Sequence, residues 1–126
     1  MEASVARTLG RHVVEVRYTG LKGVQDVLPG LLSRYTFNYP SQAAVVHWNA
    51  RLPKGFLART RFGVTQRRAR DPYTVVDAYL AWSEHSLRPF LQVTNLMDTT
   101  YQEILGVPMP GMGVMGGVEW RLGGGR

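Results

Sequence analysis

Cysteine is absent from this sequence. Its absence excludes disulfide frameworks, thiolate zinc sites and cysteine nucleophiles. Long apolar runs are missing too: no stretch reaches the length of about 18 residues that a transmembrane helix requires. No segment carries a sustained helical period with caps at its ends. The first residues do not read as a secretory leader, because Glu2 follows Met1 and no basic segment leads into an apolar one. The start therefore reads as that of a cytosolic protein, or as the tail of a longer gene.

Glycine, by contrast, is plentiful at 14 residues, alongside six tyrosines and three tryptophans. That mixture suits β structure with tight turns. The formal net charge is +6. A basic balance is compatible with nucleic acid, an anionic membrane surface or an anionic ligand. The arginines are spread through strand-like segments and form no arm, which argues against nucleic acid. The length of 126 residues allows one small domain.

Alternation with period two dominates the chain. It predicts seven strands: Glu2–Arg7, His12–Gly20, Ala43–Leu52, Phe56–Arg67, Tyr73–Glu84, Pro89–Leu96 and Gly113–Leu122. One face of each strand is apolar. The third sets Ala44, Val46, Trp48, Ala50 and Leu52 against Val45, His47, Asn49 and Arg51. The fourth sets Phe56, Ala58, Thr60, Phe62 and Val64 against a face that includes Arg59, Arg61 and Arg67. The fifth sets Val76, Ala78, Leu80 and Trp82 against Asp77, Tyr79 and Ala81.

Turn residues test this assignment, because a slip of one residue moves a strand's side chains to the other face. A Leu9-Gly10 loop would pair Thr8 with Arg11, Val5 with Val14 and Ala3 with Val16. A Pro53-Lys54-Gly55 loop would pair Leu52 with Phe56, with Gly55 in a left-handed conformation. A His85-Ser86 loop would place Leu80 opposite Leu91 and Ala78 opposite Val93. All three keep apolar opposite apolar.

These short turns share one end of the sheet. The other end carries long connections at Leu21–Gln42 and Met97–Met112 and a short one at Arg68–Pro72. Outer-membrane barrels have this asymmetry, with short turns toward the periplasm. Trp48, Trp82 and Trp120 fall on the apolar face near the short-turn rim, as an interfacial aromatic girdle would; the alternative is that they are core tryptophans of a soluble sandwich. Strands of roughly 9–11 residues span a bilayer when tilted. The second face carries Glu15, Arg17, Arg51, Arg59, Arg61, Arg67, Asp77, Glu119 and Arg121, which suits a wet lumen. An odd strand count argues against a complete bacterial barrel. The fold class expected is therefore all-β: an antiparallel meander of about seven amphipathic strands, an incomplete part of a large transmembrane β-barrel.

The run Phe90-Leu91-Gln92-Val93-Thr94-Asn95-Leu96-Met97-Asp98, then Tyr101-Gln102-Glu103, then Gly106-Val107-Pro108-Met109-Pro110-Gly111, resembles the ending of TonB-dependent outer-membrane receptors. In that family a penultimate strand ends in an Asn-Leu-Phe-Asp element, a Tyr-x-Glu loop leads to a Pro-Gly element, and one closing strand follows. Met97 stands here where Phe is usual, and Met112 where Arg is usual. Ser33 to Pro40 and Asp71 to Asp77 also sit where family members carry similar elements, so the resemblance covers about residues 12–122. The closing strand resembles the assembly signal of such barrels, with Gly117, Trp120 and Leu122 at the matching spacing; Leu122 replaces the usual terminal Phe. On this resemblance residues 1–122 are the C-terminal part of a receptor barrel, residues 123–126 a Gly-rich tail, and the family's N-terminal plug domain and energy-coupling box are not in the chain. The alternative for the closing segment is an ordinary amphipathic strand.

Other chemistry is weakly represented. His12, His47 and His85 are scattered without metal-ligand spacing, so no metal is expected. Asp71, Asp77 and Glu84 allow a hydrolase dyad to be imagined, but Asp77 near Arg61 is better read as a structural ion pair, and no catalytic residue or cofactor is assigned. Arg59, Arg61 and Asp77 are read as a lumen charge ladder; Arg67 alternates onto the same lumen face, and Arg68 and Arg70 continue the series to the outer loop. The ladder either guides an anionic substrate such as a ferric chelate or pairs with plug carboxylates. Tyr35, Tyr39, Arg67, Arg70, Tyr101 and Glu103 are the ligand-binding candidates; Tyr35 and Tyr39 could equally form an upper aromatic belt.

The resemblance implies a receptor fragment for energy-coupled uptake of a scarce nutrient: ferric siderophore, cobalamin or glycan. Its implied location is the cell outer membrane. Its implied partners are outer-membrane lipid, the remaining barrel strands and plug domain, the outer-membrane assembly machinery and, through the missing part alone, the TonB-type coupler; nucleic acid is not among them. The competing expectation is a soluble antiparallel β-sheet module that binds carbohydrate or protein through its long loops. Whether anything covers the face of Val46, Trp48, Leu80, Trp82, Val118 and Trp120 separates the two.

Overall fold

Alternating apolar and polar residues satisfy a single pleated layer, since successive side chains leave it on opposite faces. The computed structural model describes residues 1–22, 40–68, 70–84, 86–104 and 106–120. They form β1 (Glu2–Leu9), β2 (His12–Gly20), β3 (Pro40–Arg51), β4 (Phe56–Arg67), β5 (Tyr73–Trp82), β6 (Leu87–Thr94) and β7 (Gly113–Trp120). The seven strands make one antiparallel sheet in chain order. β1 and β7 are its two edges, and the sheet is open.

The predicted pairings hold at two of the three short turns. Leu80 faces Leu91 and Ala78 faces Val93; the Leu52 N–H donates to the Phe56 carbonyl at 2.8 Å. His85 lies outside the described residues. At the first turn the structure corrects the prediction. β1 runs on to Leu9, which pairs with His12, so Val5 faces Val16 and Ala3 faces Tyr18. The loop is Gly10-Arg11, with Gly10 at φ +61°. A positive φ at the first central position is where a two-residue hairpin accepts glycine. Moving the loop by one residue shifts the pairing by two, so every side chain keeps its predicted face.

Other strand ends also differ. β3 begins at Pro40, three residues earlier than expected, and a bulge follows between Pro40 and Gln42. Proline is tolerated there because it opens the strand. β6 spans Leu87–Thr94, not Pro89–Leu96, because Asn95 turns the chain with φ +49°. β5 ends at Trp82, not Glu84. The β5–β6 ladder stops at Ala81 and Phe90; the next position is Pro89, which has no amide to donate. In the Pro53–Gly55 turn Lys54 takes φ +60° ahead of Gly55 at +73°. The Trp82 indole N–H donates to the Lys54 carbonyl at 2.9 Å, which ties β5 to that turn.

Burial is unusual in its side. Among the described residues the buried apolar ones are Ala50, Val75 and Ala81. Val75 and Ala81 belong to the polar face, beside Gly63 and Leu57. Buried Arg88 is also on that face, opposite Glu119, with 3.6 Å between its Nη1 and the carboxylate. The apolar face is the open one: Val5 is 71% exposed, Val118 62% and Trp120 68%. No second layer of described residues packs on it.

Candidate ligand cleft at the long-connection end

On the polar face Arg61 stands directly across from Asp77. Arg61 Nη1 donates to Asp77 Oδ2 at 3.3 Å. Arg61 is exposed and Asp77 half-buried, so the pair contributes about 1 kcal/mol or less. The other Asp77 oxygen does something the charge ladder did not foresee. It accepts the backbone N–H of Asn95 at 2.9 Å, where the chain leaves β6.

Asn95 is buried and holds the start of the long connection. Its Nδ2 donates to the carbonyls of Thr99 (2.9 Å) and Pro110 (3.4 Å), and its Oδ1 accepts the Thr99 N–H at 2.9 Å. A turn closes from the Asp98 N–H to the Asn95 carbonyl at 2.8 Å. Asp98 then accepts the Met112 N–H at 2.8 Å. Asn95 and Asp98 both take positive φ, +49° and +50°. Asparagine and aspartate tolerate that region better than other non-glycine residues. The Asn-Leu-Met-Asp run is thus a hook whose two polar ends fasten both ends of the connection.

Gly111 belongs to the same hook. A Cβ built there would collide with the Asp98 carboxylate. Gly111→Ala is therefore expected to push Asp98 off the Met112 amide. Hydrogen exchange at Met112 should speed up by about tenfold, the worth of one hydrogen bond to a charged group. Unchanged exchange would mean that Asp98 does not depend on this gap.

Beyond the hook the connection folds back over the β4–β5 turn. The Tyr101 ring stacks on Tyr73 with centroids 4.7 Å apart and planes 21° from parallel. The Met109 N–H donates to the Tyr101 carbonyl at 2.9 Å. Arg70 donates to Gln102 Oε1 at 3.0 Å, and the same oxygen accepts the Gly106 N–H at 3.2 Å. These contacts enclose a cleft of about 460 Å³ lined by Arg67, Arg70, Asp71, Pro72, Tyr73, Thr100, Tyr101 and Gln102. Small-molecule sites occupy about 300–1,000 Å³. Burial pushes the Tyr101 phenol above its ordinary pKa, and the Glu103 carboxylate pushes the same way. A phenol is an O–H donor at neutral pH even at its ordinary pKa of about 10, and Arg67 and Arg70 bring two guanidinium groups to the same cleft. This chemistry suits a ligand that has oxyanion groups and a flat apolar part.

The structure brings Arg67, Arg70 and Tyr101 together in one cleft. Glu103 stands exposed beside it, outside the lining, and acts on Tyr101 through its charge. Tyr35 and Tyr39 lie outside the described residues, as does Leu122. Arg59 and Arg61 lie on the polar face further from the long connections, and Arg59 is 5.6 Å from the Tyr79 ring centroid. Tyr79 stacks in turn on Phe90. A Cβ on Gly117 would come within 2.9 Å of the Phe90 ring, so Gly117 is the space into which that ring fits. Trp120 is on the opposite face, across from Leu87. Tyr73, Gln102 and the Asn95 hook were missed as a group because their contacts join segments distant in sequence. The available signal was the Asn95-Leu96-Met97-Asp98 run, singled out in the sequence for its resemblance and not for the contacts it makes. Comparison with known protein families, curated proteins and solved structures gives no match for this chain.

Proposed function

We propose that the chain is a wall segment of an outer-membrane β-barrel receptor of the TonB-dependent type. Its apolar face meets lipid and its polar face lines the lumen. The cleft between the β4–β5 turn and the 100–102 segment takes part in holding a nutrient ligand at the barrel mouth. The observation that carries the reading is the apolar face of the seven-stranded meander, which no described residue covers. A soluble sandwich needs a second sheet over that face, whereas lipid accepts such a face on the outside of a barrel whose remaining strands pair the edges of β1 and β7. Trp48, Trp82 and Trp120, all on that face toward the short-turn end, suit an interfacial girdle. Strands of 12, 12 and 10 residues at β3, β4 and β5 suit a tilted span. The Asn95–Asp98 and Pro110-Gly111 elements that resemble the family are those that fasten the last long connection.

Tryptophan fluorescence in vesicles of brominated lipid tests the reading. Trp48, Trp82 and Trp120 should be quenched by bromines placed near the headgroup more than by bromines at the bilayer centre. In plain buffer the full chain should associate, because it exposes a broad apolar face and two free strand edges. A monodisperse monomer in plain buffer with unquenched tryptophans would favour a soluble sheet that binds carbohydrate or protein through its loops.

A further inference from the structure

A second cleft lies on the polar face at the short-turn end, away from the first. It is formed where the β1–β2 turn meets the ends of β3 and β4 and measures about 870 Å³. The Arg51 N–H donates to the Arg11 carbonyl at 2.9 Å, which holds the turn against the end of β3. Arg59, on β4, stands across from Asn49, which is two residues along β3 from Arg51 and on the same face. Arg11, Arg51 and Arg59 all line the cleft, together with Thr8, His47 and Asn49.

These three arginines have no carboxylate partner among the described residues. Two acids of this face are engaged elsewhere: Glu15 pairs with Arg17 at 2.8 Å, and Asp77 holds Arg61 and the Asn95 amide. Like charges gathered without counter-charge repel one another, so the arrangement is favourable once an anion joins it. Guanidinium groups match the planar oxygens of carboxylate and phosphate with paired N–H donors. Asn49 and Thr8 add neutral hydrogen-bonding groups. The space exceeds what one phosphate fills and falls within the range of small-molecule sites.

We propose that Arg11, Arg51 and Arg59 form a binding site for a small multivalent oxyanion, one with at least two phosphate or carboxylate groups. The site belongs to the sheet itself and does not depend on what the apolar face meets.

The test is calorimetric titration of the full chain, folded in non-ionic detergent, with inorganic pyrophosphate and with citrate at constant ionic strength. Acetate serves as the single-carboxylate comparison. Saturable one-to-one binding of pyrophosphate or citrate, with acetate much weaker, is expected. R51Q and R59Q should each weaken it by about tenfold, the loss of one charge-assisted contact. R51K, which keeps the charge without the fork, should fall between. R17Q removes one charge from the same face and should leave the affinity within about twofold, because Arg17 lies outside the cleft. Circular dichroism of each variant verifies that the sheet is intact. Absence of saturable binding overturns the proposal, and so does an R17Q loss equal to that of R51Q. Tighter binding of an oligoglutamate than of either small anion also overturns it, in favour of an acidic polypeptide.

Discussion

Val46→Arg is expected to destabilise the bilayer-reconstituted protein by about 2–4 kcal/mol, the cost of a cation on the lipid face near mid-depth. Val46 is midway along β3 on the apolar face, flanked by Val16 and Phe62. A guanidinium there has no carboxylate within the adjacent pairs and would set a charge between Val16 and Phe62. Met115→Arg is the matched control. Met115 is on the polar face of the edge strand β7, opposite Gln92, and is 55% exposed. That change should cost less than about 1 kcal/mol, as surface substitutions generally do. Urea unfolding in lipid bilayers would measure both. Equal costs would mean that the two faces meet the same solvent, and the proposed wall would be wrong.

Asn95→Ala should have the next largest effect, through the hook and not through the faces. The side chain makes three hydrogen bonds in a buried setting. Alanine removes all of them and leaves the Thr99 amide and two carbonyls to find other partners. A loss of about 2–3 kcal/mol follows from such a network. Residues 96–112 should then exchange their amides much faster, while the β3–β4 pairing should be unaffected. The Tyr73–Tyr101 stack depends on that connection, so its near-ultraviolet dichroism should fall as well. Asn95→Asp separates the contributions: it retains an acceptor for the Thr99 N–H and loses both donors. A mutant with wild-type exchange and dichroism would show that Asp77 and Asp98 hold the connection without Asn95.

The two substitutions probe different kinds of information. The faces were legible in the amino-acid sequence because side chains alternate strictly along a strand. Val46, Leu80 and Trp120 could be assigned to one side without any knowledge of neighbours, and apolar pairs across each short turn then aligned the strands. The error at Gly10 was harmless for the same reason: glycine accepts either of two adjacent loop positions, and the two choices differ by a register step that preserves faces. The alternation could not reveal how the connections pack. Asn95 meets Pro110, Arg70 meets Gln102 and Tyr73 meets Tyr101 across 15, 32 and 28 positions of chain. No local period encodes such contacts.

Sequence alone thus determined an all-β antiparallel meander, its two faces and the end where short turns gather, because these follow from period two and from turn chemistry. The tertiary structure decided which polar residues act together. Asp77 was expected to serve Arg61 and proves also to anchor Asn95. Arg67, Arg70 and Tyr101 share a cleft because the hook folds the last connection over the β4–β5 turn. Arg11, Arg51 and Arg59 share another because the first hairpin closes one residue later than turn preference suggested, which carries Arg11 to the end of β3. The physical reason is one of range. Strand and face are set by neighbours one or two residues away, whereas a site is set by backbone hydrogen bonds and side-chain hooks between segments that meet only once the sheet has formed.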